Sequence, residues 1–323
     1  MTGSPLSLKD QGSFFVNGEV VTTENPGAGN QAGRIVVNQM YVEYWIPARQ
    51  KTGIWPIIMV HGSGHTGKTF DTTPDGRQGW RAHFARKGYP VYVVDHVGRA
   101  RSGWDPTAIN DAETKQDSSI IPRGGLVRFT YERAWSVLRF GPAPDLWWPD
   151  SKFPKDHLDQ YMAQLVPNTE ATLPQPPRKT VDGLTALISK IGPAIVMVHS
   201  QSGIYGALTA ITHPELVKGF VNVEGRTGCQ LTPEQIQILA YVPTLVVAGD
   251  HEWNGEPEGR ATVAALKAAG GRADFLATYE KRVRGNTHMM MMDLNNLQVA
   301  DWILAWLDKN VKKRGRKNKA AAG

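Results

Sequence analysis

The stretch Val196-Met-Val-His-Ser-Gln-Ser-Gly203 limits what this chain can fold into more than any other. An apolar run over 194–198 stops abruptly, a helix-like segment begins at 204, and only a short polar turn lies between. That is the layout of a strand-to-helix elbow, in which a tight turn lifts one hydroxyl off the end of a sheet. Small residues belong beside the raised residue because the backbone doubles back and approaches its neighbours closely. Ser200 and Ser202 compete for that position. With Ser200 raised, Val198 and Ser202 flank it and Gly203 follows. With Ser202 raised, the β-branched Ile204 sits where the turn least tolerates it. The spacing favours Ser200, although both glycines of the G-x-S-x-G pattern are replaced here.

A second buried-strand pattern, 57–60, ends in His61-Gly62-Ser63-Gly64. A His-Gly turn at a strand end supplies one backbone N–H of an oxyanion hole, and the residue after the nucleophile supplies the other. Those donors are expected at Ser63 and Gln201. His61 reads as a turn-packing residue, and His65 as a candidate for the substrate mouth. The candidate base is His288, in a glycine-bearing loop before the last amphipathic segment, where an imidazole can shed its proton. Three carboxylates compete to orient it: Glu224 at the end of one apolar strand, and Asp250 and Glu252 after the next. Serine, acid, histidine in that chain order is the order of hydrolase triads on α/β sheets.

Apolar strands alternate with helical patterns, which implies an α/β fold: a mostly parallel sheet with helices on both faces. Strands are expected at 34–46, 57–60, 91–95, 195–199, 219–223, 244–248 and 275–283. Helices are expected at 79–87, 181–190, 204–212, 260–269 and 297–307. An N-terminal β-hairpin is expected over 14–21, with Asn17-Gly18 as its type I′ turn. Residues 1–102 and 179–308 then form the core, and 103–178 is an insertion too long for a plain connector. The insertion is rich in aromatics, including Phe129, Tyr131, Trp135, Phe140, Trp147, Trp148, Phe153 and Tyr161. It reads as a lid, with Trp147 and Trp148 as candidate pocket residues and most of the others holding the lid's own core. Met289 opens a run of four methionines after the base and is a further pocket candidate.

The chain has 323 residues and a net charge of +6, but the charge says little about partners. Seven basic residues crowd the tail 309–323, and without them 29 basic residues face 30 acidic ones. A near-neutral body gives no case for nucleic acid, and the tail reads as disordered and solvated. A homodimer is compatible with the sequence. No apolar run approaches a membrane span. The N-terminus lacks a signal peptide's basic start and apolar core, so the chain reads as cytoplasmic, or as secreted or periplasmic with its signal removed. The single cysteine, Cys229, forbids an intrachain disulfide and reads as a packing residue. No cluster of metal ligands stands out, and no cofactor is expected.

Several stretches together resemble the Alcaligenes-type bacterial esterase group of the α/β-hydrolase superfamily. They are Thr72-Thr-Pro-Asp-Gly-Arg77 with Gly79-Trp80, Arg86-Lys-Gly-Tyr89, Asp95, Gly98-Arg99 and Arg101-Ser102. His199-Ser-Gln-Ser-Gly203 and Val223-Glu224-Gly225 fit the same group. The resemblance spans nearly the whole chain and implies Ser200, Glu224 and His288 as the triad, with Ser63 and Gln201 as oxyanion donors. Better-known members of the group carry adjacent cysteines where this chain has Ser63 and Gly64. A backbone N–H survives that change. The expected activity is serine carboxylic-ester hydrolysis of a hydrophobic ester through an acyl-enzyme. An amidase or lactonase with the same triad, or a non-catalytic receptor on this scaffold, are the alternatives.

Overall fold

The computed structural model describes residues 5–24, 29, 31–121, 126–173, 175–227 and 231–311. Cys229 and tail residues 312–323 lie outside the described residues. Eight strands form one sheet: β1 (Leu8–Thr23), β2 (Gly33–Pro47), β3 (Ile57–Val60), β4 (Val91–Val94), β5 (Ala194–His199), β6 (Val217–Val223), β7 (Thr244–Ala248) and β8 (Ala273–Ala277). Their order is β1-β2-β4-β3-β5-β6-β7-β8. The six strands from β4 to β8 run parallel, and β2 joins β4 antiparallel. Strands β3, β5 and β7 are buried at every residue, as a parallel sheet covered on both faces requires.

Alternation along the strands sorts two cores. On one side Ile195 and Met197 pack with α1 (Trp80–Arg86) and α9 (Asn296–Asn310). On the other, Val196 and Val198 pack with α5 (Pro176–Ile191), α6 (Gly203–Thr212), α7 (Pro233–Leu239) and α8 (Glu256–Ala268). The insertion between β4 and α5 carries α2 (Thr107–Lys115), α3 (Tyr131–Leu138) and α4 (Leu158–Ala163).

Two local expectations change. The N-terminal hairpin is present, but β1 and β2 form it, and Asn17-Gly18 is not its turn. Both residues take positive φ, 59° and 100°, as their sequence suggests. Opposite them Asn38 also turns left-handed, at φ 61°, and accepts a bond from Asn17 Nδ2 at 3.2 Å through its carbonyl. The paired irregularities let the strand continue through the kink. The last strand is also shorter than expected, ending at Ala277 before a 3₁₀ turn over Tyr279–Lys281. Helix α7 lies outside the expected helices; a Thr232–Gln235 capping box starts it.

Phe129, Trp135, Phe140, Phe153 and Tyr161 of the insertion join the α1/α9 core, and Trp147 packs against it, whereas Tyr131 is exposed. Trp147 stacks in a cluster with Trp135 at 4.5 Å, Phe140 at 5.4 Å and Phe153 at 5.8 Å between ring centroids. Met289 to Met292 are fully buried in the same core. Trp147→Ala is therefore expected to cost about 3 kcal/mol, the low end for deleting a packed aromatic. Chemical denaturation checks this. An unchanged unfolding midpoint would contradict it.

Candidate active site

Ser200 follows β5 directly, with φ 54°. The left-handed region costs a non-glycine residue about 1–2 kcal/mol, so the turn is held by its surroundings. Two close approaches hold it. A Cβ on Gly62 would lie 2.8 Å from the Ser200 Cβ, and one on Gly203 would lie 2.7 Å from the Gly225 carbonyl carbon. Only glycine lets the loop after β3 and the loop after β6 press against the elbow from both sides. The two serines are separated plainly. Ser202 is buried, donating to the His61 carbonyl and bonded to His96 Nε2 at 2.6 Å. Ser200 lines an open pocket of about 690 Å³.

His288 and Glu224 line the same pocket. β6 is the sheet neighbour of β5, so the residue after it emerges beside the elbow. His288 Nδ1 is in short hydrogen-bond contact with Glu224 Oε2. The carboxylate accepts, so Nδ1 carries a proton, and in the neutral ring Nε2 is the nitrogen that keeps its lone pair. Glu224 also receives Gly249 N–H at 2.6 Å and a two-pronged grip from Arg139, at 2.8 and 2.6 Å. Burial alone would push Glu224 up. The Arg139 charge, then His288, outweigh it and hold the carboxyl at about 2.

Local sequence patterns did not reveal Arg139. It sits just past α3 at φ 58°, and its Nε donates to the Asp250 carbonyl at 2.9 Å. Positive φ recurs around the pocket, at Arg139, Ser200, Glu224, His251 and Glu252. Such strain gathers where surrounding structure over-determines a geometry.

The His288 loop is pinned at its backbone. Its N–H donates to Leu138 O at 3.0 Å, and its carbonyl accepts from His199 Nε2 at 3.0 Å. Asp293 braces the loop by accepting from Asn286 Nδ2, Thr287 N and Thr287 Oγ1 at 2.8–2.9 Å. Burial pushes Asp293 up to about 7 despite those bonds. Behind the site four buried histidines are kept neutral, chiefly by burial: His61 at about 3, His65 at about 4, and His96 and His199 well below the ordinary value.

The other expected residues fall into two groups. Gln201 and Glu252 line the pocket, whose walls also include Val137, Ile204, Tyr205 and Trp253. Ser63 lies in the loop pressed on Ser200; its hydroxyl accepts from Asn168 Nδ2 at 2.7 Å. The pocket expectation gives way for His65, Trp147 and Met289. His65 is enclosed between Ser63 O and the Tyr161 hydroxyl, Met289 is core, and Trp147 is half-buried against that core. Trp148 stacks on His251 at 4.5 Å and lines an adjoining 200 Å³ recess instead. Asp250 is spent on Gly285 N–H, His251 N–H and Arg284. Glu252 is exposed at the rim. One trio of metal-ligand type converges among the described residues, Asp150, Asp250 and His251, within 4.8 Å. Its Asp250 already has the partners just named.

A solved structure described as a novel bacterial esterase is 40% identical, covering 96% of this chain and 98% of its own, with a TM-score of 0.89. A curated relative, the probable secreted lipase phiG of Fungal sp. (strain ATCC 74256), is 29% identical over 84% of this chain and 86% of that protein. No family model matches the sequence.

Glu224 is fully buried and the Arg139 side chain is only 11% exposed, so removing Arg139 takes away the carboxylate's balancing cation, at a cost of about 3–5 kcal/mol. Arg139→Met is expected to destabilise by about that much at neutral pH. The depressed carboxyl contributes stability above its unfolded value of 4.5 that is lost as pH falls towards 2. The gap between wild type and variant should therefore shrink across that window, as urea unfolding at several pH values measures. A gap constant with pH would contradict the bridge as the source of the shift.

Proposed function

The chain belongs to the α/β-hydrolase superfamily, in the esterase group of its bacterial relative, and on that premise we propose that Ser200, His288 and Glu224 carry its chemistry. The protein is a serine carboxylic-ester hydrolase. The contact between His288 Nδ1 and Glu224 carries the residue assignment, because it fixes the imidazole tautomer in a pocket that also exposes Ser200.

Ser200 Oγ attacks the ester carbonyl carbon while His288 Nε2 takes its proton. Glu224 stabilises the imidazolium that forms. The N–H groups of Ser63 and Gln201 hold the oxyanion. Collapse breaks the carbon–oxygen bond, and the departing alcohol takes the proton from His288. Water, deprotonated by His288, then attacks the acyl carbonyl carbon; the bond to Ser200 Oγ breaks, the acid leaves, and His288 returns the proton to Ser200. Arg139 keeps the acid ionised, so Glu224 stays an acceptor throughout.

The insertion acts as a cap that supplies Ser136, Val137 and Arg139 to the pocket wall. The substrate's apolar part rests on Val137, Ile204 and Trp253, and it is a small-molecule ester. No described helix is long and apolar enough to cross a membrane. The secreted character named for the fungal relative supports export over a cytoplasmic setting.

Rates on matched esters, amides and lactones test the reaction class, and esters should lead. Glu224→Gln should lower kcat by up to about 10⁴-fold through the wrong tautomer, with Asp250→Asn and Glu252→Gln mild beside it. A folded Glu224→Gln enzyme with near-native kcat would return the acid to another residue.

A further inference from the structure

We propose that Arg99 is a positioning residue that aims the Ser63 amide at the oxyanion, an inference that rests on the ester-hydrolase reading above. Arg99 follows β4, and its side chain is 0% exposed; its partner Glu170, from the insertion, is 2% exposed. Arg99 Nε donates to Glu170 Oε2 at 2.8 Å, and Nη2 pairs closely with Glu170 Oε1. The remaining donors do something an ion pair does not need. Nη1 donates to Gly62 O at 2.9 Å and to His65 O at 3.3 Å, and Nη2 donates to Gln201 Oε1 at 3.0 Å.

Gly62 O and Ser63 N belong to one peptide unit. In a planar trans peptide the carbonyl and the N–H point opposite ways. Fixing the carbonyl on Arg99 fixes the N–H on the other side. His61 makes the same demand. His96 N–H donates to His61 Nε2 at 3.1 Å, which leaves the proton on Nδ1, and Nδ1 donates to Gly62 O at 2.9 Å. The carbonyl thus has two directed side-chain donors, and its amide is polarised by a cation.

The device answers a weakness built into the loop. Residue 62 must be glycine, because a Cβ there would lie 2.8 Å from both Ser200 Cβ and His199 Nδ1. Glycine resists peptide rotation least of all residues. The neighbouring amide is not a substitute, since Gly64 N–H is committed to Asn168 Oδ1 at 2.7 Å. Arg99 also reaches the side chain of Gln201, the residue carrying the other expected donor. One guanidinium therefore braces both sides of the hole.

The test compares kcat, KM and the affinity of a trifluoromethyl-ketone transition-state analogue in two variants. Arg99→Met/Glu170→Met removes both charges, so no unpaired ion is left buried. Arg99→Lys keeps the charge for Glu170 but loses the fork, and it guards against a folding failure of the double variant. The double variant should lose about 10²-fold or more in kcat, roughly one oxyanion donor's worth. KM should change little, and analogue affinity should fall in parallel with kcat. Arg99→Lys should fall between. Native kcat in either folded variant, or a loss of kcat without loss of analogue affinity, would overturn the proposal. Labelling of Ser200 by a phosphonate keeps this outcome separate from failure of the hydrolase reading. A variant that still labels at Ser200 with native turnover rejects Arg99 alone, whereas a wild type that never labels rejects the reading itself.

Discussion

One buried carboxylate organises the site. Glu224 carries a charge out of water, which is costly unless every lone pair is met. The chain meets it from three distant places: Arg139 in the insertion, Gly249 N–H after β7, and His288 in the loop before α9. None of these lies near the others in sequence. Placing Glu224 one strand from the elbow therefore commits the sheet order, the seat of the insertion and the path of the last loop together. Folding only part of this arrangement would leave an uncompensated ion.

The insertion consequently behaves as part of the core and not as a loose flap. Most of its aromatics pack in one core with the methionine run and α9, while Leu138 O, Arg139 and Glu170 reach three separate parts of the site. Of the insertion's side chains, Ser136, Val137 and Arg139 line the pocket, along with Ile204 and Trp253 from the rest of the chain. Trp147, which aromatic density alone would nominate, lies in the cluster behind them.

What was legible in the sequence was whatever local pattern encodes. The elbow around Ser200, the four-residue apolar strand before His61 and the alternation of strands and helices all leave periodic or turn signatures. Asn17-Gly18 shows the limit of that reading: the residues adopt the conformation their identities favour, yet the partner strand bends to match. Arg139 and Glu170 left no signature, and Arg99 figured only as part of a resembling stretch with no role attached, because a charge in an irregular segment gains its meaning only from a partner 71 or 85 residues away. The choice among Glu224, Asp250 and Glu252 was of the same kind. Family resemblance pointed to Glu224, and the contacts now distinguish a carboxylate on the histidine from one spent on backbone amides and one at the rim.

The central claim is that turnover passes through an ester on Ser200. Rapid-mixing kinetics with an activated aryl ester, acid-quenched and followed by peptide mass mapping, test it most directly. The account predicts a stoichiometric burst of the phenol and an acyl group on Ser200. Steady turnover without a trapped adduct, or an acyl group on Ser202, would contradict it.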